Sequence, residues 1–219
     1  MRLGILGDVH CDDVVLAQAI ERVRTARVDE IVCVGDIADG RGSFDNCCEL
    51  LRSHGVQTVR GNHDRWLLEG KYRGPGPATK PADVAPASMA FLAGLPPTRT
   101  LDTPAGPLLV CHGLGDNDLF KLPTGEPTPE VAAEMDAFVA STDAKWVVNG
   151  HTHRPLVRAW REVVFINAGT LRRGHDPVVL LLDLRTQHIT CLALDGGGAD
   201  VRESSWTMAE AQAAERLYP

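Results

Sequence analysis

Three features that would assign this 219-residue chain to other functional classes are missing from its sequence. No apolar run reaches the roughly 18 residues that a membrane span requires. The first residues lack the charged and apolar segments of a secretion signal. None of the six cysteines forms a Cys-x-x-Cys pair, which argues against a disulfide framework. We therefore expect a cytoplasmic protein with reduced cysteines and no membrane partner.

An excess of basic residues is also missing. The formal net charge is −7 and the pI is about 5.6. Nonspecific binding to nucleic acid depends on a basic face, so we expect no stable nucleic-acid partner. A local positive pocket remains compatible with this composition, because bound metal ions would create one.

The first sixty residues alternate strand and helix patterns. Three short apolar runs predict strands at Met1–Gly7, Glu30–Val34 and Val56–Arg60, and two amphipathic segments between them predict helices at Asp12–Arg27 and Phe44–His54. This order is typical of a parallel sheet with helical crossovers. Ligand sites in such sheets lie at the carboxyl ends of the strands.

Residues 70–107 have a different composition, with eight of the fourteen prolines of the chain. We interpret this segment as a lid-like insertion near the site, interrupted by a short helix at Pro86–Leu95. The chain contains no internal repeat or linker, and its length fits a single domain over residues 1–219.

Apolar runs resume after this segment and predict six further strands. They are Leu108–Cys111, Lys145–Asn149, Leu156–Trp160, Val163–Asn167, Pro177–Leu184 and Gln187–Leu194. The last four are closely spaced, which favours hairpins and a mainly antiparallel second sheet. Thr207–Leu217 is predicted to form a closing helix.

Five short signatures follow apolar runs in a fixed order and contain five of the eight histidines. They are Asp8-Val9-His10, Gly35-Asp36, Gly61-Asn62-His63-Asp64, His112-Gly113 and Gly150-His151-Thr152-His153. Strand ends would deliver these side chains to one edge of a sheet. Imidazole and carboxylate ligands suit Mn, Fe, Co, Ni or Zn better than Mg or Ca. The set is large enough for two metal ions.

This series of motifs resembles the calcineurin-like metallophosphoesterase superfamily. The stretch from Gly35-Asp36 to Gly61-Asn62-His63-Asp64 is similar to the branch of bacterial protein phosphatases and diadenosine tetraphosphatases, from which it differs at Gly40 and Asp64. The turn Gly169-Thr170 looks like one found in small bacterial members. The resemblance implies an α/β fold, a four-layer αββα sandwich of two mixed sheets flanked by helices.

The resemblance also implies a metal-ligand set. Asp8, His10 and His153 would hold one metal, Asp36 would bridge, and Asn62, His112 and His151 would complete the second metal's ligands. The expected cofactors are two divalent transition-metal ions, with manganese favoured over Fe, Ni, Co or Zn.

Charge counting favours an anionic substrate. Two divalent ions, the carboxylates Asp8 and Asp36 and a bridging hydroxide leave a net charge of about +1, which suits phosphate better than a neutral amide. We therefore expect the metal-bridging hydroxide to hydrolyse phosphomonoesters or phosphodiesters. The substrate would be a small ester or a nucleotide. His63 is the candidate proton donor to the leaving group, and Asp64 is expected to hold its ring.

Three arginines are candidates for substrate binding. Arg41, Arg65 and Arg172 stand beside signature loops and could contact phosphate.

Three other functions are compatible with the resemblance. They are a non-catalytic scaffold for protein interactions, a serine/threonine protein phosphatase-like enzyme, and a nuclease subunit. The acidic, compact chain lacks the basic groove expected of a nuclease.

Overall fold

The computed structural model describes residues 1–71, 77–194, 203–207 and 215–216. The helices in these ranges are α1 (Asp13–Thr25), α2 (Phe44–Ser53), α3 (Asn62–Leu68), α4 (Pro86–Ala93) and α5 (Pro129–Ser141), with a 3-10 turn at Pro81–Asp83. The strands are β1 (Arg2–Leu6), β2 (Glu30–Cys33), β3 (Gln57–Thr58), β4 (Thr98–Leu101), β5 (Leu108–Cys111), β6 (Trp146–Asn149), β7 (Leu156–Trp160), β8 (Val163–Asn167), β9 (Val178–Asp183), β10 (His188–Ala193), β11 (Glu203–Thr207) and β12 (Glu215–Arg216).

The strands form two six-stranded mixed sheets. The first has the order β11-β10-β9-β1-β2-β3, in which β1, β2 and β3 are parallel. The second has the order β12-β7-β8-β6-β5-β4, with β5, β6 and β8 parallel. The parallel strands of each sheet end at the signature loops, so the topology brings those loops together.

Alternating apolar side chains divide the core into three layers. In β9, Val178 and Leu180 join the cluster between the two sheets, whereas Val179 joins the cluster beneath α1 and α2. A third cluster packs Met135 of α5 against Phe165 of β8. Helices thus cover the outer face of each sheet, and the predicted four-layer αββα sandwich is confirmed.

The first helix shows why local sequence and fold agree here. The side chain of Asp12 accepts a hydrogen bond from the backbone N–H of Val15 and caps α1. The buried stripe recurs at helical spacing on the face toward the sheet. Its members are Val15, Leu16, Ala19, Ile20 and Val23.

Two predictions about the last third of the chain are wrong. Strands β9 and β10 form a hairpin that joins the first sheet beside β1, and only β7 and β8 enter the second sheet, which is mixed. The closing helix Thr207–Leu217 is contradicted where the structure describes it, because Thr207 ends β11 and Glu215–Arg216 form β12. Residues 208–214 and 217 lie outside the described residues. These segments satisfy free edges of β10 and β7, a tertiary contact that sequence periodicity does not encode.

The segment at 70–107 is more regular than expected. It contributes α4 and the strand β4, which pairs antiparallel with β5 at the edge of the second sheet. Residues 72–76 lie outside the described residues. That residues 70–107 act as a lid stays a prediction. Among the helices of the described ranges, none combines the length and the apolar character that crossing a membrane requires.

Replacing Leu16 by alanine tests the packing of α1. Leu16 is fully buried, and its truncation is expected to lower the free energy of unfolding by about 2–5 kcal/mol through lost contacts and a residual cavity. The exposed neighbour Gln18 provides the matched control, since Gln18→Ala should change stability by less than about 0.5 kcal/mol. Urea denaturation measures both, and equal losses would contradict the packing described here.

Candidate metal centre

The loops after β1 and β2 are joined by backbone hydrogen bonds, two of which meet at the carbonyl of Asp36. The backbone N–H groups of Val9 and His10 donate to the carbonyl oxygen of Asp36 over 3.1 and 2.8 Å. His10 and Asp36 themselves adopt left-handed backbone conformations, with φ of 47° and 49°. Such conformations are sparsely populated in non-glycine residues and concentrate at functional sites. The hydrogen bonds fix both side chains on the same side of the sheet edge.

The loop after β6 approaches Asp8 so closely that it requires glycine. A Cβ atom on Gly150 would lie 2.2 Å from Oδ1 of Asp8. The same Oδ1 accepts a hydrogen bond from the backbone N–H of His151 over 3.2 Å, and the N–H of Gly150 donates to the carbonyl of His112 over 2.9 Å. This contact explains why the histidine pair follows a glycine, and it places the loops of both sheets in one site.

Two groups of side chains at this edge share Asp36. One consists of Asp8, His10, Asp36 and His153, and the other of Asp36, His112 and His151, with the ligand-type atoms of each group within 4.8 Å of one another. Oδ1 of Asn62 lies 2.9 Å from Nε2 of His112 and 2.8 Å from Nδ1 of His151. The fold thus brings together all seven residues of the ligand set that the resemblance implied.

The hydrogen bonds of His10 and His112 identify the ring nitrogen that each could offer to a metal ion. Nδ1 of His10 faces the carbonyl of Asp39 at 3.0 Å, and Nδ1 of His112 faces the carbonyl of Val34 at 2.8 Å. Carbonyls only accept hydrogen bonds, so we assign the proton to each Nδ1. Nε2 of each ring then lies close to another ligand-type atom: Nε2 of His10 is 2.9 Å from Nε2 of His153, and Nε2 of His112 is 3.3 Å from Oδ2 of Asp36.

A buried carboxylate oxygen without a hydrogen-bond donor also indicates that this site can bind a cation. Oδ2 of Asp8 is buried and accepts no hydrogen bond from any described residue, although Nε2 of His153 lies 3.0 Å away. Buried carboxylate oxygens without a donor are costly, because no water replaces the lost partner. Ligand-type atoms that converge in this way can surround a cation, and backbone carbonyls at Nδ1 orient metal-bound histidines in the same manner.

The pKa shifts of Asp36 and His112 reflect their mutual attraction. Burial alone would raise the pKa of Asp36, but attraction and hydrogen bonding from His112, and then the charge of His10, hold it well below its usual range. Burial alone would lower the pKa of His112, but Asp36 and Asp8 raise it to about 10. Each shift reflects the attraction between a carboxylate and neighbouring imidazoles, and a divalent cation at this position would supply the positive charge more strongly than protons do.

His63 lies beside the two groups and is oriented by Asp39. Its Nδ1 is 2.6 Å from Oδ2 of Asp39, and its ring packs edge-on against His10 with centroids 5.0 Å apart. Burial would lower the pKa of His63, but the hydrogen bond to Asp39 and the charge of Asp36 raise it. Asp39 is held in turn by the backbone N–H of Thr79 over 2.8 Å. The ring is therefore fixed, with Nε2 as the nitrogen available for proton transfer.

The prediction that Asp64 holds the ring of His63 is wrong. Asp64 turns away from the ring and accepts hydrogen bonds from the backbone N–H groups of Ile37, Ala38 and Gly61 over 2.8, 3.0 and 2.9 Å. It thereby caps α3 and ties that helix to the Asp36 loop. Burial and repulsion from Asp36 raise the pKa of Asp64 to about 6. Asp39 lies three residues after Asp36, just beyond the second signature, and this position was the signal in the sequence.

The three candidate arginines differ in their surroundings. Arg65 makes a two-point contact with Asp118, over 2.6 and 2.9 Å, so its guanidinium is already neutralised. Arg41 is exposed in the loop before α2. Arg172 is half-buried in the loop after Gly169-Thr170, and its carbonyl accepts from the N–H of His175, whose ring centroid lies 5.9 Å from that of His153. The structure thus brings only Arg172 near the metal-ligand groups without a carboxylate partner among the described residues.

A buried amide pair that sequence reasoning missed connects the loops from the second sheet. The side-chain NH₂ of Asn149 donates to the carbonyl of Gly113 over 2.8 Å, and that of Asn167 donates to Oδ1 of Asn149 over 3.1 Å and to the carbonyl of Gly150. Oδ1 of Asn167 accepts from the N–H of Gly169 over 3.1 Å. Both amides end strands, but strand-end asparagines are common and their sequence carries no signal of this contact.

Replacing Asp39 by asparagine tests the orientation of His63. Loss of the carboxylate removes the charge that raises the pKa of His63, while burial still lowers it, so the pKa should fall. NMR titration of the histidine rings in chelator-treated protein measures the change. Asp102→Asn, at an exposed position after β4, is the matched control. An unchanged pKa of His63 in the Asp39 variant would contradict the described pair.

Comparisons with solved structures show which proteins share this fold. The chain aligns over 89% of its length with a metallophosphoesterase from Sphaerobacter thermophilus, covering 88% of that chain, at 22% identity and a TM-score of 0.68. It aligns over 93% with the phosphoesterase Yfce from E. coli, covering 98% of that chain, at 17% identity and a TM-score of 0.56. Vacuolar protein sorting 29 from Cryptosporidium parvum aligns over 94% of this chain and 97% of its own, at 18% identity and a TM-score of 0.53.

At these sequence identities, the solved structures show that the fold is shared and do not show the function of this chain. A search of the curated proteins finds no significant match. The sequence profile of the calcineurin-like phosphoesterase superfamily domain, however, matches residues 1–187 and thus includes every signature described above. The chain therefore belongs to the calcineurin-like phosphoesterase superfamily.

Proposed function

We propose that this protein is a phosphoesterase with a dinuclear metal centre, which hydrolyses phosphomonoesters or phosphodiesters. The observation that carries the proposal is the pair of ligand groups that share Asp36. Asp8, His10 and His153 would hold one ion with Asp36, and Asn62, His112 and His151 would hold the other. Manganese suits this mixture of imidazole, carboxylate and amide donors, as do Fe, Co, Ni and Zn.

Divalent cations bound in such a pair supply Lewis acidity toward phosphoryl oxygens and lower the pKa of bound water toward about 7. The chain's own part is to hold its ligands before any ion arrives. The carbonyl contacts of His10 and His112 fix the two rings, and the backbone contact from His151 fixes Asp8. Ligands that are already oriented cost little entropy when a cation or substrate binds.

The side chain of His63 is suited to move a proton to the departing group. Asp39 holds Nδ1, which leaves Nε2 to donate to the oxygen of the leaving alcohol. The raised pKa of His63 keeps the ring protonated over more of the neutral range than an ordinary histidine. Trp66 packs against the ring with centroids 4.8 Å apart and restricts its rotation.

A non-catalytic scaffold is the main alternative, and a protein named for vacuolar sorting shares the fold. Retention of the full ligand set together with an oriented His63 favours the enzyme, because protein binding alone requires neither. A serine/threonine protein phosphatase-like activity is the second alternative, which assays on phosphopeptides address. We propose small phosphoesters or nucleotides as substrates and the cytoplasm as the location.

Replacing Asp36 by asparagine tests the shared ligand. We expect the native protein, stripped with chelator and reloaded with manganese, to bind two ions per chain and to regain activity only with metal. Asp36→Asn removes the bridging charge, so at least one ion should be lost together with activity. Metal analysis after gel filtration gives the count, with Asp102→Asn as control. Two tightly bound ions in the Asp36 variant, or activity that ignores chelator, would contradict the proposal.

Replacing His63 by alanine tests proton transfer. The variant should retain its bound metal, because His63 belongs to neither ligand group, but its kcat should fall by about 10²-fold or more on alkyl phosphates. The loss should be smaller on p-nitrophenyl phosphate, whose leaving group needs no proton. His54→Ala, at the end of α2, is the matched control. Equal turnover of an alkyl ester by variant and native protein would remove His63 from the mechanism.

A further inference from the structure

Thr79 contacts Asp39 through both its backbone and its side chain. The backbone N–H of Thr79 donates to Oδ1 of Asp39 over 2.8 Å, and the backbone N–H of Asp39 donates back to Oγ1 of Thr79 over 2.9 Å. Sγ of the buried Cys11 lies 3.4 Å from the same Oγ1, so the hydroxyl has a partner on each side. The two residues are 40 positions apart in the chain. This reciprocal pair therefore joins the 70–107 segment to the loop after β2.

The residue that Thr79 holds contacts two histidines of the site. Oδ2 of Asp39 lies 2.6 Å from Nδ1 of His63, and its backbone carbonyl lies 3.0 Å from Nδ1 of His10. The backbone of Asp39 is left-handed, with a φ of 66°, a conformation that residues with a side chain seldom adopt unless their surroundings hold it. A change in the conformation of Asp39 would therefore move the ring of His63.

The segment that carries Thr79 is anchored independently of Asp39. The backbone N–H of Ala85 donates to Oδ1 of Asp45 in α2 over 3.1 Å. Leu92 of α4 is fully buried in the cluster beneath α1 and α2. These contacts fix the chain on the C-terminal side of Thr79, so Thr79 reaches Asp39 from a part of the structure that is already packed.

We propose that Thr79 is a positioning residue for proton transfer, which holds Asp39 so that its Oδ2 stays on Nδ1 of His63. With Oδ1 bound to the N–H of Thr79, and the backbone N–H of Asp39 bound to its hydroxyl, the carboxylate has few other orientations open to it. The inference rests on the proposed function and deepens it, because it gives the 70–107 segment a part in that reaction. Thr79 belongs to neither ligand group and acts through Asp39.

Replacing Thr79 by valine removes the hydroxyl, changes the shape of the side chain little and leaves the Asp39 N–H without this acceptor. In the manganese-loaded protein, kcat on alkyl phosphates should fall by about tenfold, with a smaller loss on p-nitrophenyl phosphate and a KM close to the native value. Thr79→Ser keeps the hydroxyl and should restore the native ratio of the two kcat values. Thr100→Val, at an exposed position of β4, is the matched control. Because partial unfolding lowers both kcat values equally, their ratio tests the proposal even in a less stable variant.

A double variant shows whether Thr79 acts through His63. In a His63→Ala background, Thr79→Val should cause no further loss of kcat on alkyl phosphates, since the group that it positions is gone. A further loss of about tenfold there, or a native ratio in Thr79→Val alone, would overturn this inference and leave the proposed function standing. If the manganese-loaded native protein hydrolyses neither ester, the proposed function fails and this inference fails with it.

Discussion

The arrangement of this protein depends on the Asp36 carboxylate, which two groups of ligand-type side chains share. Its backbone carbonyl receives the N–H groups of the β1 loop, and its Oδ1 receives the N–H of His63 over 2.9 Å. One residue therefore fixes the positions of both ligand groups and of the candidate proton donor. The cost is a left-handed backbone and a buried negative charge, which the fold sustains by surrounding it with imidazoles.

The two sheets matter because they deliver ligands from opposite sides. β1, β2 and β3 bring Asp8, Asp36 and Asn62, whereas β5 and β6 bring the histidines of the second sheet. The apolar cluster between the sheets holds them face to face, and the buried amides Asn149 and Asn167 tie the loops of the second sheet to one another. A shift of either sheet would separate the candidate ligands. The packing of the core therefore determines the geometry of the proposed metal site.

The residues at the strand ends were predictable from sequence because parallel strands place their carboxyl ends at one edge. The partner of His63 was not, since the residue next to it in sequence, Asp64, occupies the third position of α3 and caps that helix instead. Arg65 was assigned to substrate, but its carboxylate partner Asp118 is distant in the chain. The edge strands β11 and β12 were missed for the same reason: pairing with a neighbouring strand, rather than local periodicity, determines their structure.

Anomalous diffraction from manganese-soaked crystals tests the shared centre most directly. The account predicts two peaks about 3.5–4 Å apart, one on either side of the Asp36 carboxylate, with Asp8, His10 and His153 around one and Asn62, His112 and His151 around the other. Fully occupied peaks elsewhere on the molecule, or a single peak that Asp36 does not contact, would contradict it.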